Sequence, residues 1–478
     1  MARPNVLLIC VDHWPGSLLG VEGHDPILTP TLDEMAGSGV RFTQAYSSTP
    51  TCIPARRALM TGTTARTHGD RIFNEHLEML PELPTLPQTF RDAGYQAYAV
   101  GKLHVYPQRS RIGFDEVILN EEGRHHLGAG RDDFERFLER EGYSGQELTH
   151  AMGNNEYVTR PWHLPESCHP TNWTVREMCQ VIQRRDPTRP AFWYCSFVTP
   201  HPPVTPPKDY FDLYCHLGVD TPFSGEWAQD FDELPYALKL HRGRSRKPKT
   251  PKEIALARIG FYAQCTYIDH QIRLLIGTLR EEGLLDNTIL MFTSDHGDML
   301  GNHGLWAKPP MYEWSARIPM ILVPTADSEE VGHHRTDDRL AELRDLMPTL
   351  LDLCDIPVPE TVEGHSLISD IRRDHLYCEH FEDDRAQRMV RADHFKIIWY
   401  PTGNRLQLFD LEADPEELHD LSEDPRHADT RERLTRLLIR NLYGTDLDWV
   451  QDGRLIGTPD KVFRVAPNRG LSGQRGWR

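Results

Sequence analysis

The chain has no long apolar run: nowhere do about 18 apolar residues follow one another, the length a membrane-spanning helix needs. Its N-terminus, MARPNVLLICVDHW, breaks at Asp12 before it could form a leader's apolar core. Framework cysteines are also lacking, since nine cysteines, an odd number, are scattered without regular spacing. These features suit a reducing compartment, so the expectation is a cytoplasmic protein. There is no low-complexity tract and no internal repeat. Positive charge is in deficit, with 53 basic against 71 acidic residues and a formal net charge of −18. That balance speaks against nucleic acid or an anionic membrane as partner, because both demand a broad basic face. A small anionic substrate would require a local cluster of cations set against the global field.

The 478 residues supply runs of β-branched and apolar residues that alternate with helical patterns. Segments 5–11, 95–100, 191–198 and 288–294 read as buried strands, and 319–324 as a further one. A helical pattern from Glu253 to Glu282 ends at Gly283. The expected fold is α/β, a mostly parallel sheet sandwiched by helices. Residues 1–365 would form the main domain, with 204–250 as an insertion or lid. Around 366–450 the pattern changes to short antiparallel strands followed by an amphipathic helix near 429–443, a smaller α+β subdomain. Residues 451–478, Gly- and Arg-rich towards the end, read as a tail or an arm onto a second copy.

In an open parallel sheet, ligands bind beyond the carboxyl ends of the strands. Four strands end here in Asp12-His13, Lys102-Leu103-His104, Thr199-Pro200-His201 and Asp295-His296. One such ending is an ordinary polar loop, but four on one rim make a site. Asp12, His13, Asp295 and His296 could hold one divalent cation, although each pair alone could equally cap a turn. Arg56, Lys102 and Lys308, with His104 and His201, supply the local positive charge a tetrahedral oxyanion needs. Cys52 stands apart from Cys10, Cys195, Cys265 and Cys354, which lie in apolar runs. It begins a short helix, with Pro54 in the first turn and Gly62 at the stop. A lowered-pKa thiolate and an inert structural thiol are both open readings of it.

The run Cys52-Ile53-Pro54-Ala55-Arg56 resembles the C-x-P-x-R motif of type I sulfatases, and ARTHG at 65–69 is similar to that family's downstream element. Lys102 and His104 fall in its G-K-x-H element, His201 in P-H-x-P, Asp295-His296 in D-[NH]-G, and Lys308 in the lysine element before Tyr312-Glu313. The resemblance spans roughly residues 4–420 and implies an alkaline phosphatase-like fold. It implies that Cys52 is oxidised by a maturation enzyme to formylglycine, whose hydrate attacks a sulfate ester and becomes transiently sulfated. In that scheme Lys102 and Lys308 clamp the sulfate, His201 faces the leaving oxygen, His104 is the base, and Arg56 supports the site. The implied metal set is Asp12, His13, residue 52, Asp295 and His296. His13 stands where the family commonly has a carboxylate. Family habit gives Ca2+ as the first expectation, while two imidazoles bring in Mn2+, and His13 could instead turn away. Asn74, His303 and Trp306, with His76 and Trp14, are candidates for the substrate pocket. A phosphonate monoester or phosphodiester hydrolase is the nearest alternative, since both centres are tetrahedral and anionic. A non-catalytic protein that binds sulfated ligands is the alternative of another class.

Overall fold

The computed structural model describes residues 3–464 apart from 125–126, 129, 150–151, 244–246, 309 and 329–330. Its main sheet has eight strands: β1 (Asn5–Val11), β2 (Val40–Tyr46), β3 (Gln96–Gly101), β4 (Glu116–Leu119), β5 (Ala191–Ser196), β6 (Thr288–Ser294), β7 (Met320–Val323) and β8 (Arg335–Glu342). Their spatial order is β4-β3-β5-β1-β6-β7-β2-β8. All neighbours run parallel except β7, which is antiparallel to both β6 and β2.

The central strand β1 is buried throughout because the sheet is covered on both faces. Its pleat sends Leu7, Ile9 and Val11 into one hydrophobic cluster and Val6, Leu8 and Cys10 into the other. The first cluster is closed by the 31-residue helix Pro251–Glu281. This helix starts at a capping box, in which Thr250 accepts from Glu253 N–H and Glu253 answers on the Thr250 N–H. It stops before Gly283, at φ +66°. Truncating a side chain such as Ile9 to alanine in such a core costs about 2–5 kcal/mol.

Residues 208–227, the first half of the stretch read as an insertion or lid, pack against this layer. Tyr214, from the helix Lys208–Leu217, donates to Thr266 and accepts from Leu28 N–H, and Arg258 of the long helix pairs with Asp220. Trp227 stacks on Tyr312, with centroids 4.9 Å apart.

A second sheet, in the order β12-β11-β10-β9, is antiparallel: β9 (His375–His380), β10 (Gln387–Ala392), β11 (Phe395–Tyr400) and β12 (Arg405–Asp410). One face carries the helix Ala428–Asn441 through Leu434 and Leu438, packed on Val390, Ile397 and Trp399. The other face supplies Met389, Ile398 and Phe409 to the main core. Most of the expected arm, 465–478, lies outside the described residues. No helix among the described residues is long and apolar enough to cross a membrane.

Candidate active site

The register of the main sheet aligns the strand ends that carry the polar residues. Val11 pairs with Ser294, Cys10 with Ser196, and Gly101 with Ser196. The chain therefore leaves β1, β3, β5 and β6 at one level and delivers Asp12-His13, Lys102 to His104, the 199–203 loop and Asp295-His296 to one rim.

The helix Cys52–Thr61 points its N-terminus at this rim and is buried at every position. Thr51 is extended, Pro54 sits in the first turn where its missing N–H leaves no orphan, and Gly62 closes the helix at φ +66°. Cys52 Sγ lies 3.3 Å from His296 Nε2 and 3.8 Å from Asp12 Oδ1. One turn later Arg56 reaches under the site. Its Nε donates to Asp295 Oδ2 at 2.9 Å, and its Nη1 to Lys102 O at 2.9 Å and Ser196 Oγ at 2.7 Å. Arg56 thus fixes the ends of β3, β5 and β6 relative to the helix, and acts as a positioning residue. Asp295 and the smaller contributions of Tyr194, Cys10 and Asp12 outweigh burial and hold this guanidinium well above its usual pKa.

Asp12, His13, Cys52 and His296 present ligand atoms that all lie within 4.8 Å of one another, and all four side chains are buried. Both imidazoles are aimed. His13 Nδ1 bonds to Asp298 Oδ2 at 2.7 Å, and His296 Nδ1 donates to Gly297 O at 2.9 Å, so each Nε2 faces the cluster. His13 does not turn away. Asp295 stands at the margin of this set: its Oδ1 is 3.6 Å from His296 Nε2 and accepts His296 N–H, while Oδ2 is committed to Arg56. Two cations press on the donors, Lys102 Nζ on Asp12 and Lys308 Nζ on His13 Nε2. Such a crowd of buried acceptors and cations fits a divalent ion bound by Asp12, His13 and His296, with Asp295 beside them.

Burial opposes ionisation of Asp12, yet Lys102, followed by His13, His201 and Lys308, holds its carboxyl well below the usual range. Lys102 is raised in return by Asp12 and Glu122 against burial. Burial, then Lys102, Arg124 and Arg56, keeps His104 well below its usual pKa, so the ring is neutral at physiological pH. The His104 backbone, at φ +57°, is pinned by Glu121, whose Oε1 accepts the N–H groups of Leu103 (2.7 Å) and His104 (2.9 Å). Burial also lowers His201, whose Nδ1 donates to Pro202 O at 2.7 Å.

Not every candidate reaches this centre. His303 is packed in an aromatic cluster with Trp227, Phe223 and Tyr312, and its Nδ1 accepts Gly225 N–H at 3.0 Å. Trp306 is 2% exposed and packs edge-on to Tyr157. Trp14 is core, its indole donating to Leu18 O. Asn74 is exposed, and its Oδ1 is taken by His76 N–H; His76 itself packs against Tyr106. His303, Trp306 and Trp14 serve packing, while Asn74 and His76 lie on an exposed turn next to Phe73, whose ring meets His104 edge-on. In their place the structure brings in Glu122, which pairs with Lys102 and lies 3.8 Å from His201 Nδ1 and 3.9 Å from His104 Nε2. It also brings in Asp298, bonded by Tyr157. Asp298 stands in the DHGD run, whereas Glu122 follows β4, a strand too short to show in the sequence.

Comparison with known proteins identifies the family. The sulfatase family model matches residues 4–356, and the model described as N-sulphoglucosamine sulphohydrolase, C-terminal, matches 301–442. The chain is 35% identical over 471 residues to the arylsulfatase of Clostridium perfringens, covering 95% of this chain and 97% of that one. It is 30% identical to the choline-sulfatase of Rhizobium meliloti, over 91% of this chain and 85% of the relative. Among solved structures, the phosphonate monoester hydrolase of Agrobacterium radiobacter superposes with a TM-score of 0.78 at 22% identity, covering 94% of this chain and 98% of that one. The chain belongs to the sulfatase family, within the alkaline phosphatase-like superfamily, and is a sulfuric ester hydrolase.

Proposed function

We propose that the protein hydrolyses its sulfate ester through formylglycine made from Cys52. The observation that carries this reading is the place of residue 52, whose Sγ heads the helix Cys52–Thr61 at 3.3 Å from His296 Nε2 and 3.8 Å from Asp12 Oδ1. Burial first, then Asp12, pushes the Cys52 pKa up to about 12, with Lys308 and Lys102 pulling the other way. Without a metal beside it, a thiol so protonated at neutral pH is a poor nucleophile. A hydrated aldehyde at this position has two hydroxyls, which suits the two-step chemistry the residues offer. One oxygen attacks sulfur in line, the sulfur–oxygen bond to the alcohol breaks, and Lys102 and Lys308 balance the charge on the sulfuryl oxygens. His201 faces the departing oxygen, and Glu122 beside it supplies the counter-charge for a protonated ring. Neutral His104, with Nδ1 unpartnered, takes the proton of the second hydroxyl. The carbon–oxygen bond to sulfate then breaks and the aldehyde is restored. Cys52 is 2% exposed, so its maturation enzyme must act before the chain folds.

A divalent cation held by Asp12, His13 and His296 would acidify the attacking hydroxyl and polarise the sulfuryl oxygens. With both imidazoles aimed at the site, the donor set moves from the Ca2+ expectation towards Mn2+.

Mass spectrometry of the peptide spanning residue 52 in active enzyme should show the aldehyde, and replacing His104 with alanine should accumulate a sulfate ester on it. Full turnover of an aryl sulfate by enzyme carrying only the thiol would overturn the reading. Relative kcat/KM for an aryl sulfate and a phenyl phosphonate ester measures the preference between the two anions, which the cation clamp alone does not set.

A further inference from the structure

Three imidazoles on the rim are aimed by a hydrogen bond at Nδ1: His13 by Asp298, His296 by Gly297 O and His201 by Pro202 O. His104 is different. Its Nδ1 is buried without a hydrogen-bond partner, and its Nε2 lies 3.9 Å from Glu122 Oε2, beyond hydrogen-bond reach. Glu121 pins the His104 backbone N–H but does not set the direction of the ring, which turns about its own side-chain bonds. A base must keep its nitrogen within hydrogen-bond reach of the proton it removes. Something other than a hydrogen bond therefore holds this ring.

Phe73 touches it. The two ring centroids are 6.2 Å apart at an interplanar angle of 88°, the edge-to-face arrangement that aromatic pairs favour. Phe73 sits in the turn 70–74 at φ +66°, a left-handed conformation that a bulky side chain adopts only where its surroundings impose it. Three fixings impose it here. Asp70, fully buried, accepts the N–H of Ile72 at 2.9 Å and of Asn74 at 3.1 Å. Arg71 reaches from the turn into the C-terminal subdomain, where its Nη1 donates to Glu379 Oε2 at 2.8 Å and Asp446 Oδ2 at 2.9 Å. Its carbonyl accepts Phe381 N–H at 2.8 Å. Glu75, just beyond the turn, accepts from Arg124 Nη2 at 3.1 Å, which ties the turn to the loop that carries Glu121 and Glu122.

We propose that Phe73 is the positioning residue of His104: its ring, held by the C-terminal subdomain through Arg71, keeps the imidazole directed at residue 52. The inference rests on the reading of His104 as the base of the second step. It goes further in making the C-terminal subdomain part of the catalytic arrangement and in confining the effect of Phe73 to one half of the reaction. Attack on sulfur and loss of the alcohol do not use His104. Removal of the second hydroxyl's proton, and with it release of sulfate, does.

The test uses mature, metal-loaded enzyme and an aryl sulfate in rapid-quench experiments that follow alcohol and sulfate separately. Phe73→Leu keeps an apolar side chain and removes the ring. We expect it to slow sulfate release by about tenfold or more and to leave the sulfate ester visible on the peptide spanning residue 52. Alcohol release in the first turnover should change by less than about twofold. Phe73→Tyr, which keeps the ring, should release sulfate within about threefold of the parent rate. General damage to the fold would slow both steps together. Sulfate release in Phe73→Leu within about twofold of the parent, or equal slowing of both steps, overturns the inference. Crystal structures of the parent and of Phe73→Leu supply a second measurement, independent of the chemistry at residue 52. The His104 ring should hold one orientation in the parent and be turned by about 30° or more, or split between two positions, in the variant. The same single orientation in both overturns the inference. If His104→Ala turns over freely and traps no ester, the base assignment fails, and the comparison of the ring alone decides whether Phe73 positions it.

Discussion

At the scale of single residues, the site depends on side chains that never touch the substrate. His13 has a positive φ of 72° and can present Nε2 only because Asp298 takes its Nδ1. Asp298 is itself held by the Leu300 and Ala307 N–H groups at 2.9 and 2.8 Å and by the Tyr157 hydroxyl. Replacing Asp298 with asparagine keeps the size and removes the charge. Outer partners of this kind typically change metal affinity by about 10–100-fold. We therefore expect Asp298→Asn to weaken Mn2+ binding by about tenfold or more in direct titration of the metal-free protein, with the melting temperature of that protein little changed. Undiminished affinity would mean that His13 is not a ligand. Of these residues, Asp12, His13, Asp295 and His296 were legible because each directly follows a continuous apolar run. Tyr157 follows no such run, and only the folded chain brings it to Asp298.

At the scale of elements, legibility followed burial. β1 and β6 span the residues read from the sequence, 5–11 and 288–294, because strands covered on both faces are continuously apolar. β2 alternates, the edge strand β8 reads RTDDRLAE, and β4 is four residues long, so none carried a recognisable signal. The direction of β7 was likewise unreadable, since an apolar run does not say which way it points. Helix stops were readable at Gly62 and Gly283, both at φ +66°, whereas the long helix begins at Pro251 behind its Thr250 cap, ahead of the Glu253 read from the sequence. One backbone position decides whether β3 can serve the site. Gly101, its last residue, has φ +104°, and a Cβ there would stand 1.8 Å from Ser196 O. The same turn throws Lys102 and His104 onto the rim. Gly101→Ala therefore combines a disfavoured conformation, about 1–3 kcal/mol, with a clash against the backbone of β5. The expected outcome is a clear drop in the denaturant midpoint together with loss of sulfate-ester turnover; an unchanged midpoint would show that the turn relaxes freely.

At the scale of the whole molecule, buried titratable groups pull stability in opposite directions as pH changes. His68, His169 and His303, all outside the catalytic rim, are pushed down to about 3, by burial first in each case. The unfolded chain binds protons at these positions below about pH 6.5 while the folded chain does not. Their contribution is complete above that pH and is lost as the pH falls towards 3, at about 1.4 kcal/mol per unit each. Asp132, Asp269 and Glu417 behave oppositely. Burial raises them to about 7, 6 and 7, so the folded chain keeps protons that the unfolded chain has released, and acidification through that range favours the fold. The net slope of stability against pH therefore isolates no single group, whereas the difference between the protein and one variant does. His169 is the cleanest choice, because it caps the helix Pro170–Gln183 by accepting Thr171 N–H on Nδ1, while Nε2 donates to Thr205 O. That pattern requires the neutral ring. His169→Asn keeps a cap acceptor and removes the titration. The variant should be less stable than the parent near neutral pH, and the gap should close by about 2 kcal/mol between about pH 7.5 and pH 5 in paired denaturant titrations. A gap that stays constant over that range would mean that His169 already carries its proton in the folded protein.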